Sequence, residues 1–194
     1  MKNVAINLGT SHGYNAGRHL GAYASPEDFC AIFTQDMDSL YSLALALTRS
    51  HEKADQCYLA SLDDCRTGNA VFSEWARSWS RRAVIKNAIR LVVPVPGNAA
   101  GASESTLDPI ADQMDPSARS VLRLNAFDRF VFVISVLEGY TLRECAALLG
   151  SSLREAEQAR VRALQQLAGD SRNLAPAPYD GSSRGTQSSV LTLH

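Results

Sequence analysis

Residues 138–167 contain the feature that most constrains the fold: two short helical patterns that meet at a Gly-Ser-Ser corner. Thr141 and Glu144 have the spacing of a capping box, which predicts the start of the first helix. Gly150 can adopt the left-handed backbone angles that end this helix. Small alanines on both helices would let them pack closely. The stretch therefore predicts a helix-turn-helix, common in DNA-binding proteins, in preference to an ordinary helical hairpin.

The N-terminal half has helical periodicity, and no useful run of strand alternation interrupts it. Ser25, followed by Pro and two acidic residues, predicts a helix start. The apolar pattern then predicts a short helix and a longer one that ends at Thr48. Ser50 is a candidate cap for a third helix, and a fourth is predicted from about Val71 to Val92. These patterns predict a helical domain over residues 25–93.

The C-terminal half begins a second helical group, with Asp115 as the candidate cap and Pro116 at the first helical position. Residues 125–139 are rich in β-branched side chains, so a strand is an alternative there. Their Asn-Ala-Phe-Asp start and Glu-Gly end favour a helix. The fold class predicted is all-α, with two small helical domains joined by a flexible linker. The predicted organisation is a disordered arm at 1–24, a domain at 25–93, a linker at 94–114, a domain at 115–168 and a disordered tail at 169–194.

The composition restricts the classes of function that the chain can have. The net charge is −1, so any nucleic-acid-binding surface must be a local basic face. The four cysteines form no CxxC pair and have no histidine at metal-ligand spacing, and no signal peptide or membrane-spanning run is visible. We therefore expect reduced thiols, a cytoplasmic location and no membrane association. Because hydrolase and phosphate-loop motifs are missing, we expect no catalysis, small-molecule substrate, metal or other cofactor.

The predicted helix at 71–92 is the most basic element. Its cations are Arg77, Arg81, Arg82, Lys86 and Arg90, opposed only by Glu74. Arg82, Lys86 and Arg90 recur every four residues and so share a face, while Trp75 and Trp79 are also four residues apart. Cations in such a stripe can track phosphates, and aromatic rings beside them can stack on unpaired bases. The alternative is that the tryptophans pack against other helices and the cations are merely solvated.

Residues 131–167, VFVISVLEGYTLRECAALLGSSLREAEQARVRALQQL, resemble the C-terminal domain, region 4, of RNA polymerase sigma factors of the extracytoplasmic-function type. The matching positions are Glu138-Gly139, Glu144-Cys145-Ala146, Leu149-Gly150, Arg162-Ala163 and Leu167. Residues 40–56, LYSLALALTRSHEKADQ, resemble the opening of region 2 in the same family. Phe72, Trp75 and Asn87 echo its promoter-melting helix, with a longer Trp-to-Asn spacing.

This resemblance implies a regulator of transcription initiation that binds core RNA polymerase and promoter DNA, and it allows for an anti-sigma factor as a further partner. The residues implied to bind polymerase are Asp55, Gln56, Leu59 and Asp63, and those implied to melt the promoter are Trp75 and Trp79. The residues predicted to bind DNA are Arg77, Arg81, Arg82, Lys86, Arg90, Ser152, Arg154, Gln158, Arg160 and Arg162.

Two segments depart from the family pattern. Residues 54–59 read Ala-Asp-Gln-Cys-Tyr-Leu, where the family usually has Ala-Glu-Asp-x-x-Gln. The second helix of the helix-turn-helix carries Glu155 and Glu157, and carboxylates oppose contact with phosphates. They could instead stabilise the helix N-terminus through its dipole. The alternative function is therefore a degenerate sigma-like module for protein–protein interaction, without promoter-directing activity.

Overall fold

The computed structural model describes residues 23–97 and 116–173, and every regular element in these ranges is a helix. The eight α-helices are α1 (Pro26–Gln35), α2 (Met37–Thr48), α3 (His51–Thr67), α4 (Ala76–Val92), α5 (Pro116–Arg123), α6 (Ala126–Phe132), α7 (Leu142–Leu149) and α8 (Leu153–Asn173). The all-α prediction is confirmed. Most of the predicted arm, linker and tail lies outside the described residues. None of these helices combines the length and apolar character that crossing a membrane requires.

The chain divides into two compact units, Met1–Pro94 and Val95–His194. In the first unit, α3 packs against α2 and α4, and α1 packs against α3 and α4. Its largest fully buried side chains are Phe33, Leu40, Leu47, Val84 and Ile85. Removal of these apolar side chains from water is the main stabilising contribution to such a bundle.

The helices of the first unit begin and end where the sequence supplies caps. Ser25 and Asp28 form a capping box at the start of α1, and the Ser50 side chain accepts a hydrogen bond from the backbone of Lys53. A 3-10 turn over Ser73–Trp75 precedes α4, so the α-helix begins later than predicted. It ends at Val92 as predicted, because the following residue is left-handed and a proline comes next.

Two residues of the predicted disordered arm pack against the first unit. Tyr23 forms an isolated antiparallel bridge with Phe72, and the Ala24 amide donates a 2.7 Å hydrogen bond to the carbonyl of Val71. The Tyr23 and Phe72 rings stack with centroids 4.8 Å apart. These two positions, which the sequence assigned to the arm, therefore contact the segment before α4.

The second unit contains α5 to α8, with α6 packed against α8. After α6 the chain continues as a π-helical turn over Val133–Leu137, so the segment rich in β-branched residues is helical. Phe130 and Ile134 are fully buried, whereas Leu137 is 57% exposed. It lies outside the core because the helix ends there and Gly139 turns the chain with a φ of 73°.

The helix-turn-helix has the predicted geometry. Thr141 and Glu144 form the capping box of α7, and Gly150 ends that helix with a φ of 62°. Ala156, Ala159 and Ala163 are completely buried on the inner side of α8. α8 continues to Asn173, past residue 168, where the domain was predicted to end. Gly169 does not stop the helix, since an isolated glycine costs only about 1 kcal/mol in a helix.

Candidate nucleic-acid interface

The outer side of α8 carries a row of polar residues, which we call the polar stripe. Its members are Arg154, Gln158, Arg162 and Gln165, and all four are exposed. Their spacing of four, four and three residues keeps them on one side of the helix, away from the buried alanines. Arg154 and Gln158 make no hydrogen bond or ion pair with another residue that the structure describes. These two groups can therefore reach an external partner.

Ser152 and Glu155 cap the N-terminus of α8. The Ser152 amide and hydroxyl donate to Glu155 Oε2 at 2.8 and 2.7 Å, and the Glu155 amide donates back to Ser152 Oγ at 3.2 Å. The Ser152 hydroxyl and then its amide lower the pKa of the Glu155 carboxyl by hydrogen bonding to the charged form. Glu155 thus has a capping role, and the Ser152 hydroxyl, predicted to contact DNA, is occupied within the chain.

Arg162 is tied to α6. Its Nε and Nη2 donate to the two oxygens of Asp128 at 3.0 and 2.6 Å. The Arg162 side chain is 48% exposed and that of Asp128 only 4%. Asn125 also donates to Asp128, at 2.6 Å. Hydrogen bonding to Asp128 raises the pKa of the Arg162 guanidinium, which stays charged. Arg162, one of the residues predicted to contact DNA, therefore holds α8 against α6. Arg160, also predicted to contact DNA, is half-buried.

Two of the five predicted cations of α4 pair with carboxylates outside that helix. Arg77 forms an ion pair with Asp36 and donates to Gln35 at 2.9 Å. Arg90 pairs with Asp64 at 3.1 Å. Both guanidinium groups remain more than half exposed, at 56% and 65%. Each of these two arginines has a carboxylate beside it. The positive potential of this face is therefore weaker than the spacing of the cations in the sequence suggested.

The other three cations of α4 lie between these pairs along the helix. Arg81 donates to Ser39 Oγ at 2.8 Å and is half-buried, as is Arg82. Lys86 is exposed, with its Nζ 5.7 Å from the centroid of the Trp79 ring. This distance is within the range of a cation–π interaction. Lys86 therefore keeps a positive charge in the middle of α4, beside an exposed aromatic ring.

A row of aromatic rings precedes α4. Trp75 is 56% exposed and packs edge-on against Phe72, with centroids 5.3 Å apart. Phe72 stacks in turn on Tyr23. Trp79, the other predicted melting residue, is 36% exposed. Both tryptophans therefore offer ring surface to a partner. Tyr23 had not been identified from the sequence, because nothing in a Gly- and Asn-rich arm indicated that it pairs with Phe72.

Asn87 has an internal role. It is 6% exposed, and its amide donates to Ser61 Oγ at 3.2 Å, to Asp64 Oδ2 at 3.0 Å and to the Ala83 carbonyl at 3.1 Å. These bonds join α3 to α4. The position that echoes a promoter-contacting asparagine therefore satisfies buried polar groups instead.

The residues predicted to bind polymerase share an exposed side of α3. Asp55, Gln56, Leu59 and Asp63 are all exposed, and Leu59 is 63% exposed. Tyr41, which the sequence had not indicated, donates to Asp55 Oδ1 at 2.9 Å. Burial, followed by the bond to Asp55, raises the pKa of the Tyr41 hydroxyl. The result is an exposed apolar side chain bordered by carboxylates, of which Asp55 is held by Tyr41, a composition suited to a protein partner.

Within residues 23–97 and 116–173, no three His, Cys, Asp or Glu side chains come together in a way that could hold a metal ion. Comparison with models of known protein families and with curated proteins gave no match.

Proposed function

We propose that the chain is a sigma-factor-like regulator of transcription initiation that binds core RNA polymerase and promoter DNA. The observation that carries the proposal is the helix-turn-helix of the second unit, in which α8 buries its alanines and exposes its polar stripe. Motifs of this kind place their second helix in the major groove. The resemblance of residues 131–167 to sigma region 4 gives that motif its proposed context.

On α8, Gln158 and Arg154 are the proposed base-reading pair. A glutamine amide can make two hydrogen bonds to adenine, and an arginine can do the same with guanine. Arg162 has a positioning role, because it holds α8 against the buried Asp128. Glu155 is turned to the cap of α8, which limits its repulsion of nearby phosphates.

On the first unit, α4 is the proposed contact with the upstream promoter element. Arg82 and Lys86 supply positive charge for the phosphate backbone. Trp75 offers an exposed ring for stacking on an unpaired base. The exposed side of α3 around Leu59 is the proposed contact with polymerase. A cytoplasmic location and the absence of catalysis go with this proposal.

The test is transcription of genomic fragments by core polymerase of the same organism, with and without the purified chain. We expect transcripts with defined start sites that depend on the chain. Replacing Arg154 and Gln158 by alanine should weaken these transcripts without changing the fold, because both side chains are exposed. A complete absence of chain-dependent transcripts would contradict the proposal.

A second candidate is a sigma-like module that binds proteins and directs no transcription. This candidate is favoured by four residues that were predicted to contact DNA but make hydrogen bonds or ion pairs within the chain. They are Arg77, Arg90, Ser152 and Arg162. This module would bind core polymerase or another protein yet yield no transcript, so the assay above separates the two candidates.

A further inference from the structure

α8 has a second exposed row beside the polar stripe. Leu153, Val161 and Leu164 are 43%, 52% and 43% exposed, and we call them the apolar stripe. Their spacing of eight and three residues keeps them on one side of the helix. Each is followed in the chain by a member of the polar stripe, so the two stripes run side by side. An exposed row of aliphatic side chains indicates a docking surface more readily than scattered ones do.

Two opposite charges lie within the apolar stripe. Glu157 is exposed and Arg160 is half-buried, and neither makes a hydrogen bond or ion pair with another described residue. Both are on the same side of the helix as the leucines, between Leu153 and Leu164. The midpoint of positions 157 and 160 coincides with the midpoint of positions 153 and 164. This shared midpoint makes the surface complementary to itself.

The occupant that this arrangement fits is a second copy of α8 running antiparallel. A two-fold axis at the shared midpoint places Leu153 of each copy against Leu164 of the other. The same axis places each Glu157 against the Arg160 of the other copy. A parallel arrangement would instead set like charges side by side. Interhelical ion pairs of this kind determine which orientation two helices adopt.

We propose that the chain forms a two-fold symmetric homodimer through the apolar stripe of α8. The contact is isologous, with the same residues used on both sides. It involves one helix of 21 residues, so we expect weak association that depends on concentration. The inference goes beyond the proposed function, because neither DNA nor polymerase takes part in the contact or in its test.

Sedimentation velocity of the full chain over a concentration series tests the proposal. The wild type should shift from monomer to dimer as its concentration rises. Glu157→Arg and Arg160→Glu each place like charges opposite one another, so each should raise the dissociation constant by about tenfold or more. An equimolar mixture should restore the dimer, because each variant supplies the charge that the other lacks. The doubly substituted chain, with both changes, should dimerise like the wild type.

Gln166→Arg is the matched control, since it adds an arginine to an exposed position of α8 outside both stripes. It should leave the dissociation constant unchanged, and circular dichroism should show full helicity for every variant. The proposal is overturned if the wild type stays monomeric at all concentrations. It is equally overturned if the single variants dimerise normally, or if mixing them restores nothing.

Discussion

The two units use their cationic helices in different ways. In the first, Arg77 and Arg90 reach from α4 to Asp36 and Asp64, and all four side chains remain at least 31% exposed. In the second, Arg162 reaches from α8 to an Asp128 that is 4% exposed. Surface pairs contribute little to stability, whereas removing one partner of a buried pair is costly. We therefore expect the burial of the carboxylate to determine how much each ion pair contributes to stability.

The largest expected effect concerns the middle of α4. Arg82→Glu with Lys86→Glu should abolish promoter opening, because reversing two charges turns attraction for the phosphate backbone into repulsion. Permanganate footprinting of the transcribed promoters measures this opening. Lys53→Glu with Arg123→Glu reverses as many charges at other exposed positions and should leave opening intact. Normal opening with the α4 variant would remove this helix from the proposed mechanism.

The next effect concerns the anchor of α8. Arg162→Leu should lower the free energy of unfolding of the second unit by about 3 kcal/mol, because it leaves the Asp128 carboxylate buried with few partners. Arg154→Leu, at an exposed position of the same stripe, should stay within about 0.5 kcal/mol of the wild type.

Urea unfolding can assign this loss to one unit. Both tryptophans belong to the first unit, so fluorescence follows that unit while circular dichroism follows both. Arg162→Leu should move part of the dichroism transition and leave the fluorescence transition in place. Equal stability of the Arg162 and Arg154 variants would show that the pair between Arg162 and Asp128 does not stabilise the second unit.

A smaller effect is expected at the cap of α8. Ser152→Ala should destabilise the second unit by about 1 kcal/mol, the usual cost of losing a side-chain cap. The dichroism transition in urea measures it. A value indistinguishable from zero would mean that the bonds between Ser152 and Glu155 do not stabilise the helix.

The same cap should respond to pH. The pKa of Glu155 is lower in the folded chain than its ordinary value, so its contribution is present at neutral pH and is lost as pH falls through the folded pKa. Glu155→Gln should therefore lower the thermal midpoint at pH 7 and make little difference at strongly acidic pH. Equal shifts at both pH values would contradict this dependence on ionisation.

The smallest effect belongs to the first unit. Arg90→Ala should change its stability by less than about 1 kcal/mol, because the pair with Asp64 is exposed on both sides. The fluorescence transition in urea reports the change directly. A loss of stability as large as that caused by Arg162→Leu would mean that burial of the carboxylate does not determine how much an ion pair contributes.

The local features of the fold follow from short stretches of sequence. The caps at Ser25, Ser50 and Thr141 and the left-handed Gly150 depend on residues within one turn of each other. Their side chains satisfy the backbone groups that a helix end leaves open, so neighbouring residues suffice to predict them. Helical periodicity likewise predicted the buried alanines of α8.

The roles of individual charged residues could not be predicted from the sequence, because they depend on partners distant in the chain. Arg77 and Asp36 are 41 positions apart, and Arg162 and Asp128 are 34 apart. Spacing shows which side of a helix a side chain occupies but does not show what another helix places opposite it. Asn87 illustrates the same limit, since two of the three groups that accept from its amide belong to α3.

The central proposal, that the chain binds core RNA polymerase, is tested most directly by a capture experiment. The immobilised full chain is incubated with purified core polymerase, and the bound subunits are quantified. We expect near-stoichiometric capture by the wild type and strong loss with Leu59→Arg, which puts a charge at the exposed centre of the α3 surface. Failure of the folded wild-type chain to retain core polymerase would contradict the claim.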